Sequence, residues 1–308
     1  MPARPAPVLI TTDLDRTLIF SPRAIAVLGG ALPSDPVETS LGHTSGGQSS
    51  GGQTSGGQTS GGHTDGELCR AARDALAALP AHALICVATS RSISRLRRLR
   101  LPFAVPYAIA ANGGVVLVGG EPDPEWAARI AGLVSRAAPA AEARAVLTDS
   151  RAGRRGSAAT GGSGGSAGPP WLQRLGDEDD MCCLAIVDPA LLPAGQLAEI
   201  ARHSLELGWQ ASLIGRKLYA FPAGFGKEQA AAFVAEKVAK EAGATPRRLA
   251  AGDTEHDRLM LADADLAWVP VGSELAARAG GEFVVTSQPG HAAAAQITQD
   301  WLDACAAR

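Results

Sequence analysis

The sequence is poor in aromatic residues and in long hydrophobic runs, and it contains no CxxC pair. Only 4% of its 308 residues are aromatic, so Ala, Leu, Val and Ile must supply most of any hydrophobic core. The five cysteines form an odd number without a CxxC pair, which argues against a disulfide framework or a zinc ribbon and favours a reducing cytoplasm. No run approaches ~20 apolar residues and no signal-peptide pattern is visible, so we expect a cytoplasmic protein without a membrane partner.

Neither sign of charge is in large excess: 28 Lys and Arg residues against 31 Asp and Glu residues give a formal net charge of only −3. A near-neutral balance gives no general attraction for nucleic acid, so we expect no nucleic-acid partner. One local exception is a cluster of five arginines within ten residues, namely Arg91, Arg95, Arg97, Arg98 and Arg100. Two interpretations stay open for this cluster: the solvated face of a helix, or a cationic rim that attracts an anion to an active site.

Glycine is abundant, but it is concentrated in two stretches. Residues 42–64 and 152–170 contain 9 and 7 of the 36 glycines, and the other 266 residues then have an ordinary glycine content of about 7.5%. The first stretch repeats a five-residue unit and has nothing apolar to bury, so it cannot offset the entropy of ordering. We therefore predict a folded protein that carries two flexible inserts.

Strands alternate with helices at both ends of the chain, which predicts an α/β fold with a doubly wound parallel sheet. Predicted strands cover 6–12, 83–88, 107–110, 115–118, 144–148, 181–187, 209–214, 217–221, 248–251, 266–269 and 282–285. Predicted helices cover 67–79, 92–100, 124–138, 194–207, 227–241, 255–262, 273–279 and 291–305, and 33–66 is predicted as linker. The middle has more strands per helix, so we predict a smaller α/β domain at 115–221, inserted into a discontinuous core of 1–114 and 222–308.

Two pairs of acids follow predicted strands, where ligands bind in parallel α/β sheets. Asp13 and Asp15 are two residues apart and can face one pocket, while Asp253 and Asp257 lie in the second cluster. Four converging carboxylates would repel one another unless a cation lay between them, and hard oxygen ligands in small number suit Mg²⁺. A carboxylate beside Mg²⁺ can attack phosphorus, and a second one can protonate the leaving oxygen and then activate water.

A phosphoryl group in transfer also needs positive charge and hydrogen-bond donors. Lys227, at the start of a predicted helix, is a candidate for the charge. Thr89 and Ser90, which end a predicted strand, are candidates for hydroxyl and backbone donors. Each signal is weak alone, but their order along the chain is specific.

The whole pattern resembles the haloacid dehalogenase-like (HAD) hydrolase superfamily and covers the chain apart from the two inserts. Asp13 matches the family's nucleophile, Asp15 its general acid/base, Thr89 its second-motif hydroxyl and Lys227 its third-motif lysine. The resemblance implies that Mg²⁺ is held by Asp13, the backbone carbonyl of Asp15 and Asp253, with Asp257 helping directly or through water. It also implies substrate contacts within the DxDxT, ATSR and ANGG segments, at Thr17, Ser90, Arg91, Asn112 and Gly113.

The ANGG segment and the position of residues 115–221 are similar to those of the Cof-type and sucrose-phosphatase-like subgroup, whose α/β cap lies between the second and third motifs. The sequence departs from the family at Arg16 and Ser90, where glycine is usual, and at His256, where asparagine is usual. Trp171 and Trp209 are expected to pack in the core, although they are the two cap residues that best suit a sugar face.

We therefore expect a Mg²⁺-dependent phosphoric monoester hydrolase that acts on a small phosphorylated metabolite, such as a sugar phosphate, through an aspartyl-phosphate. A phosphomutase or phosphotransferase needs the same acids and stays open as an alternative. A catalytically silent module that binds a phosphorylated ligand is a second alternative, which the complete set of six motif residues disfavours.

Overall fold

The computed structural model describes residues 6–39, 64–148, 169–176 and 180–307. Most of the two predicted inserts, 42–64 and 152–170, lies outside these ranges, so their flexibility stays a prediction. In the described part of the chain, no helix is both long enough and apolar enough to cross a membrane.

Strands and helices alternate along most of the chain. The strands are β1 (Val8–Thr12), β2 (Ile19–Phe20), β3 (Ser34–Glu38), β4 (Thr64–Cys69), β5 (Ala83–Ala88), β6 (Tyr107–Ala110), β7 (Val115–Val118), β8 (Glu121–Pro122), β9 (Leu172–Leu175), β10 (Cys183–Val187), β11 (Trp209–Ile214), β12 (Lys217–Pro222), β13 (Arg247–Ala251), β14 (Leu266–Val269) and β15 (Val284–Val285). The helices are α1 (Pro22–Leu28), α2 (Arg70–Ala77), α3 (Ile93–Arg98), α4 (Pro124–Val134), α5 (Ala140–Thr148), α6 (Gln196–Glu206), α7 (Lys227–Ala242), α8 (Arg258–Ala262) and α9 (Gly290–Ala306).

A sheet of eight strands forms the centre, in the order β15-β14-β13-β1-β5-β6-β7-β8. The pairs from β15 to β6 are parallel, and β7 and β8 are antiparallel additions at one edge. Neighbouring residues of β1 point to opposite faces: Ile10 packs in a cluster with Trp301 of α9, and Leu9 in a cluster with Phe233 of α7. Both faces of the sheet are thus covered by helices, which confirms the predicted α/β, doubly wound parallel architecture.

A second sheet has four antiparallel strands in the order β11-β12-β10-β9. With α5 and α6 it encloses its own hydrophobic cluster, which includes Leu147, Trp171, Ile200 and Trp209. Both tryptophans are almost fully buried there, so they pack in the core as expected and offer no face to a sugar. Although 115–221 was predicted as the cap, β7 and β8 pair in the large sheet, and the smaller sheet begins only with β9.

A third sheet, in the order β2-β4-β3, occupies part of the predicted 33–66 linker. The linker prediction is wrong at both ends, because 34–38 and 64–69 are strands, and the helix predicted from 67 begins only at Arg70. The pairing joins segments that are far apart in sequence and includes buried Val37 and Leu68. A long-range pair of this kind has no short hairpin turn, which is the signal that sequence patterns show best.

Some other local predictions also need correction. The predicted strand 144–148 is the end of helix α5, because Ala143 and Leu147, four residues apart, are buried on one helical face. The predicted helix 273–279 shortens to a single 3₁₀ turn, Ala276–Arg278. Helix α1 and strand β9 were not predicted.

Candidate active site

The carboxyl ends of three adjacent strands bring the motif residues together. β13, β1 and β5 lie side by side, and each is followed within two residues by a motif side chain: Asp253, Asp13 and Thr89. They open into a cleft of about 460 Å³ between the large sheet and the β11–β12 hairpin. The sequence-predicted site residues that line the cleft are Asp13, Asp15, Thr89, Ser90, Arg91, Lys227 and Asp253.

Lys227 is a buried cation that joins two of the acids. Its Nζ donates hydrogen bonds to Asp13 Oδ1 at 2.7 Å and to Asp257 Oδ1 at 2.6 Å. The lysine is the first residue of α7, whose start is fixed by a hydrogen bond from the Gly226 N–H to Gln229 Oε1. Burial alone would lower the pKa of Lys227, but the charges of Asp13 and Asp257 outweigh it and raise that pKa, so the ammonium is retained.

Asp13 and Asp253 form a pair of buried carboxylates whose negative charge is not balanced by the cations around them. Burial and the charges of Asp257 and Asp15 raise the pKa of Asp13 to about 7, although Lys227 opposes the shift. Burial and the charges of Asp13 and Asp257 likewise raise the pKa of Asp253 well above its usual value. A divalent cation between the two carboxylates would remove this repulsion.

The donor set fits Mg²⁺, which usually takes one or two carboxylates and completes its shell with water and phosphate oxygens. No cluster of three or more His, Cys, Asp or Glu side chains within the described ranges has the arrangement of an all-protein metal site. Asp13 and Asp253 are the two buried carboxylates that would suit such an ion, and the family resemblance implies the Asp15 carbonyl as a third protein ligand.

Asp257 is held by protein partners at both carboxylate oxygens. Oδ1 accepts from Lys227, and Oδ2 accepts from the N–H groups of Asp253 and Thr254 and from the Thr254 hydroxyl, at 3.0–3.2 Å. The side chain is fully buried. In this arrangement Asp257 fixes the loop that carries Asp253, and its predicted contact with a metal stays a prediction.

Asp15 faces the cleft and is surrounded by cations. Arg91 Nη2 donates to Asp15 Oδ1 at 2.7 Å and Arg91 Nε donates to Oδ2 at 3.0 Å. Lys217, at the start of β12, places its Nζ 3.9 Å from Oδ2. Burial would raise the pKa of Asp15, but Lys217 and Arg91 outweigh it and hold that pKa below its usual range.

Three predicted substrate-binding residues are not among those that line the cleft. Thr17 and Asn112 are buried, and each has a side-chain oxygen without a hydrogen-bond partner among the described residues. Gly113 has a φ of +105°, and a Cβ there would collide with the carbonyl of Gly226, so glycine permits the close approach that positions the start of α7. Substrate contact by these three residues stays a prediction.

The departures from the family pattern have structural consequences. Arg16 has a φ of +66°, in the left-handed region that favours glycine, and lines the cleft. His256 Nε2 lies 2.8 Å from the hydroxyl of Ser212 on β11, and its ring meets Phe221 of β12 edge to face. Burial, aided by the Lys227 charge, lowers the pKa of His256 to about 4, so the imidazole is neutral.

The sequence motifs do not predict several of the residues that line the cleft. These are Arg23 on α1, Arg216 and Lys217 at the β11–β12 turn, and Tyr219 on β12. The arginine cluster at 91–100 divides between the two interpretations left open: Arg91 and Arg95 line the cleft, whereas Arg97, Arg98 and Arg100 are exposed away from it. Arg91 lies before the N-cap Ser92 and Arg95 lies within α3, so helical spacing does not mark these two as the pair that faces the cleft.

No protein-family model matches the chain, and no curated protein matches it by sequence. Its structure is similar to that of the sucrose-phosphatase from Synechocystis sp. PCC6803, solved with sucrose and phosphate, with a TM-score of 0.55, 12% identity and coverage of 96% of this chain and 98% of that one. A trehalose-6-phosphate phosphatase related protein gives a TM-score of 0.51, 15% identity and coverage of 96% and 97%.

A phosphatase of the haloalkanoate (HAD) superfamily from Bacteroides thetaiotaomicron gives a TM-score of 0.50 at 14% identity, with coverage of 97% of this chain and 98% of that one. Identities this low show the fold alone. The structural similarities confirm the fold that the motifs predicted, which is that of the HAD-type and sucrose-phosphatase-like proteins, over nearly the whole chain.

Proposed function

We propose that this protein is a Mg²⁺-dependent phosphatase that hydrolyses a small phosphorylated metabolite through an aspartyl-phosphate on Asp13. The observation that carries the proposal is the buried bridge from Lys227 to Asp13 and Asp257, at the strand ends that also present Thr89 and Asp253. Burying three carboxylates around one ammonium is costly for a purely structural role, because each unpaired buried charge is strongly unfavourable.

The first step is attack by the Asp13 carboxylate on phosphorus, in line with the bond to the leaving oxygen, which then breaks. Lys227 orients Asp13 through the 2.7 Å hydrogen bond and supplies positive charge next to the phosphoryl oxygens. The hydroxyl of Thr89 and the backbone N–H groups near Asp15 are the further donors. When bound, Mg²⁺ would neutralise charge on Asp13, Asp253 and the phosphoryl oxygens.

Asp15 acts as the general acid in the first half-reaction and as the general base in the second. Arg91 and Lys217 keep its carboxyl ionised in the absence of substrate, and the negative charge of a bound phosphate raises a neighbouring carboxyl's pKa and so favours the acid form. Asp15 then gives its proton to the leaving alkoxide. As a carboxylate it takes a proton from the water that attacks the aspartyl-phosphate and releases phosphate.

The test is release of inorganic phosphate from 4-nitrophenyl phosphate and from a panel of phosphorylated metabolites, with and without Mg²⁺. We expect Mg²⁺-stimulated release, and a loss of at least about 10³-fold in Asp13→Asn, since loss of the nucleophile leaves only binding and electrostatic contributions. Asp74→Asn, an exposed aspartate on α2, is the matched control and is expected to keep full activity.

Retention of activity by Asp13→Asn would contradict the mechanism. Product analysis separates the alternatives: free phosphate supports the phosphatase, whereas an isomerised sugar phosphate without net phosphate release supports a phosphomutase. A complete lack of turnover on every ester, with binding retained, would instead support a silent ligand-binding module.

A further inference from the structure

The cleft contains more positive charge than transfer of one phosphoryl group uses. Among the described residues that line it, seven are cationic and three are acidic. Lys227, Arg91 and Lys217 are paired with aspartates, as described above. No ion pair joins the other four cations to a carboxylate in the described ranges, and one of them, Arg216, hydrogen-bonds to the neutral amide of Gln173.

The excess of positive charge is greatest around Asp15. Arg91 and Lys217 both approach this carboxylate, and Arg95, on α3, lines the same cleft and acts on Asp15 through its charge. Arg91 is buried against Asp15, whereas the side chain of Lys217 is 35% exposed and remains open to the cleft. One carboxylate therefore faces three cations, and two of these are accessible to a ligand.

The position of these two cations relative to the reaction identifies the part of the substrate they would meet. In the proposed mechanism the transferred phosphoryl group would lie between Asp13, Thr89 and Lys227, and Asp15 would contact the leaving oxygen. Arg95 and Lys217 are grouped with Asp15, so they lie on the side of the leaving group. A neutral sugar or alcohol would displace water from Arg95 and from the exposed part of Lys217 without offering either cation a further anion, at a cost in binding.

Resting on the proposed function, we propose that the leaving group carries its own anionic group, a carboxylate or a second phosphate, which Arg95 and Lys217 bind beside Asp15. The substrate class is thus phosphomonoesters with a second anionic group. Arg95 comes from the large-sheet side of the cleft and Lys217 from the β11–β12 hairpin, so the second anion also joins the two walls. Ion pairs of this type give specificity because a neutral ligand supplies no anion to balance the excess positive charge.

The experiment measures binding separately from turnover, by titration calorimetry on the full-length Asp13→Asn protein with Mg²⁺. The ligands are glycerol 3-phosphate, 3-phosphoglycerate and glycerol 1,3-bisphosphate, which share a three-carbon skeleton and differ in the second group. We expect at least one of the two doubly anionic esters to bind about tenfold or more tightly than glycerol 3-phosphate. Which one does so identifies the second anion as carboxylate or phosphate.

Two variants in the Asp13→Asn background, Arg95→Gln and Lys217→Gln, are expected to reduce this preference about tenfold each. Arg97→Gln, on the same helix but bonded to the Gly120 carbonyl outside the cleft, is the matched control and is expected to keep it. Equal affinity for all three esters would overturn the inference, and so would a preference that neither variant reduces. A uniform loss for all ligands would assign the two residues to the support of Asp15 and would also overturn it.

These outcomes are separable from a failure of the proposed function. Absence of phosphate release by the wild-type protein from every ester would refute the phosphatase. Equal dissociation constants for the three esters would refute only the second-anion site and leave the phosphatase standing.

Discussion

The guanidinium of Arg91 holds the carboxylate of Asp15 in a two-point clamp, with N···O distances of 2.7 and 3.0 Å, although 76 residues separate them in sequence. The side chain of Arg91 is almost fully buried, and the backbone N–H of Arg91 donates a hydrogen bond to the Thr89 hydroxyl oxygen at 3.2 Å. The end of β5 therefore fixes both the orientation of the acid/base and the position of a phosphoryl-binding hydroxyl. Arg91 is thus a positioning residue for Asp15.

The clamp predicts the behaviour of Arg91→Lys. A lysine keeps the charge but cannot form two parallel hydrogen bonds, so Asp15 loses its fixed orientation. We expect kcat to fall about 10²-fold while KM for 4-nitrophenyl phosphate changes less than threefold, because misplacement of a catalytic group acts mainly on the transition state. Steady-state kinetics measures both values. An unchanged kcat in Arg91→Lys would show that charge alone suffices.

The left-handed backbone at Arg16 predicts that glycine there is more stable. A non-glycine residue at a φ of +66° costs about 1 kcal/mol, which Arg16→Gly removes. We expect urea unfolding of this variant to give a free energy of unfolding raised by up to about 1 kcal/mol. Arg23→Gly is the matched control: it places the same substitution in helix α1, where glycine is expected to lower stability by about 0.5 kcal/mol. Destabilisation by Arg16→Gly would mean that the arginine's contacts exceed the backbone strain.

The buried imidazole of His256 predicts a specific pH dependence of stability. The folded protein lowers the pKa of His256 to about 4, below its unfolded value of 6.5, so the unfolded state binds the extra proton between these values. Stability is therefore lost as pH falls through this window, because the charged ring would be buried and its Nδ1 has no partner among the described residues.

We expect His256→Asn to lose less stability than the wild type between pH 7.5 and pH 5, by an amount on the order of 1 kcal/mol. Thermal unfolding of both proteins without added metal measures the difference, and the carboxylates that titrate in both proteins cancel in the comparison. Parallel losses in the two proteins would show that His256 does not titrate on unfolding.

The sequence was sufficient to predict the motif residues because each of them follows or begins a regular element. Asp13, Thr89 and Asp253 come after apolar strand segments, and Lys227 opens a long helix. Parallel strands present their carboxyl ends at one edge, so the order of motifs along the chain predicts a common site. The doubly wound fold follows from the same alternation.

Other features depend on contacts that no local pattern contains. The pairing of β3 with β4 joins segments on either side of the glycine-rich stretch, and Lys217 reaches Asp15 only because the β11–β12 hairpin is placed over the cleft. Residues 144–148, predicted as a strand, belong to helix α5. In the helix, Ala143 and Leu147 lie on one face and are buried against the smaller sheet, which the sequence pattern alone does not contain.

The sequence by itself therefore determined the α/β class and which acids and lysine meet at the strand ends, since composition and period are local properties. Tertiary structure decided which arginines face the cleft, that Asp257 is fully engaged by protein partners, and that Asp15 is enclosed by three cations. These are relations between side chains brought together from distant parts of the chain, and their energies depend on burial and distance, which the order of residues does not contain.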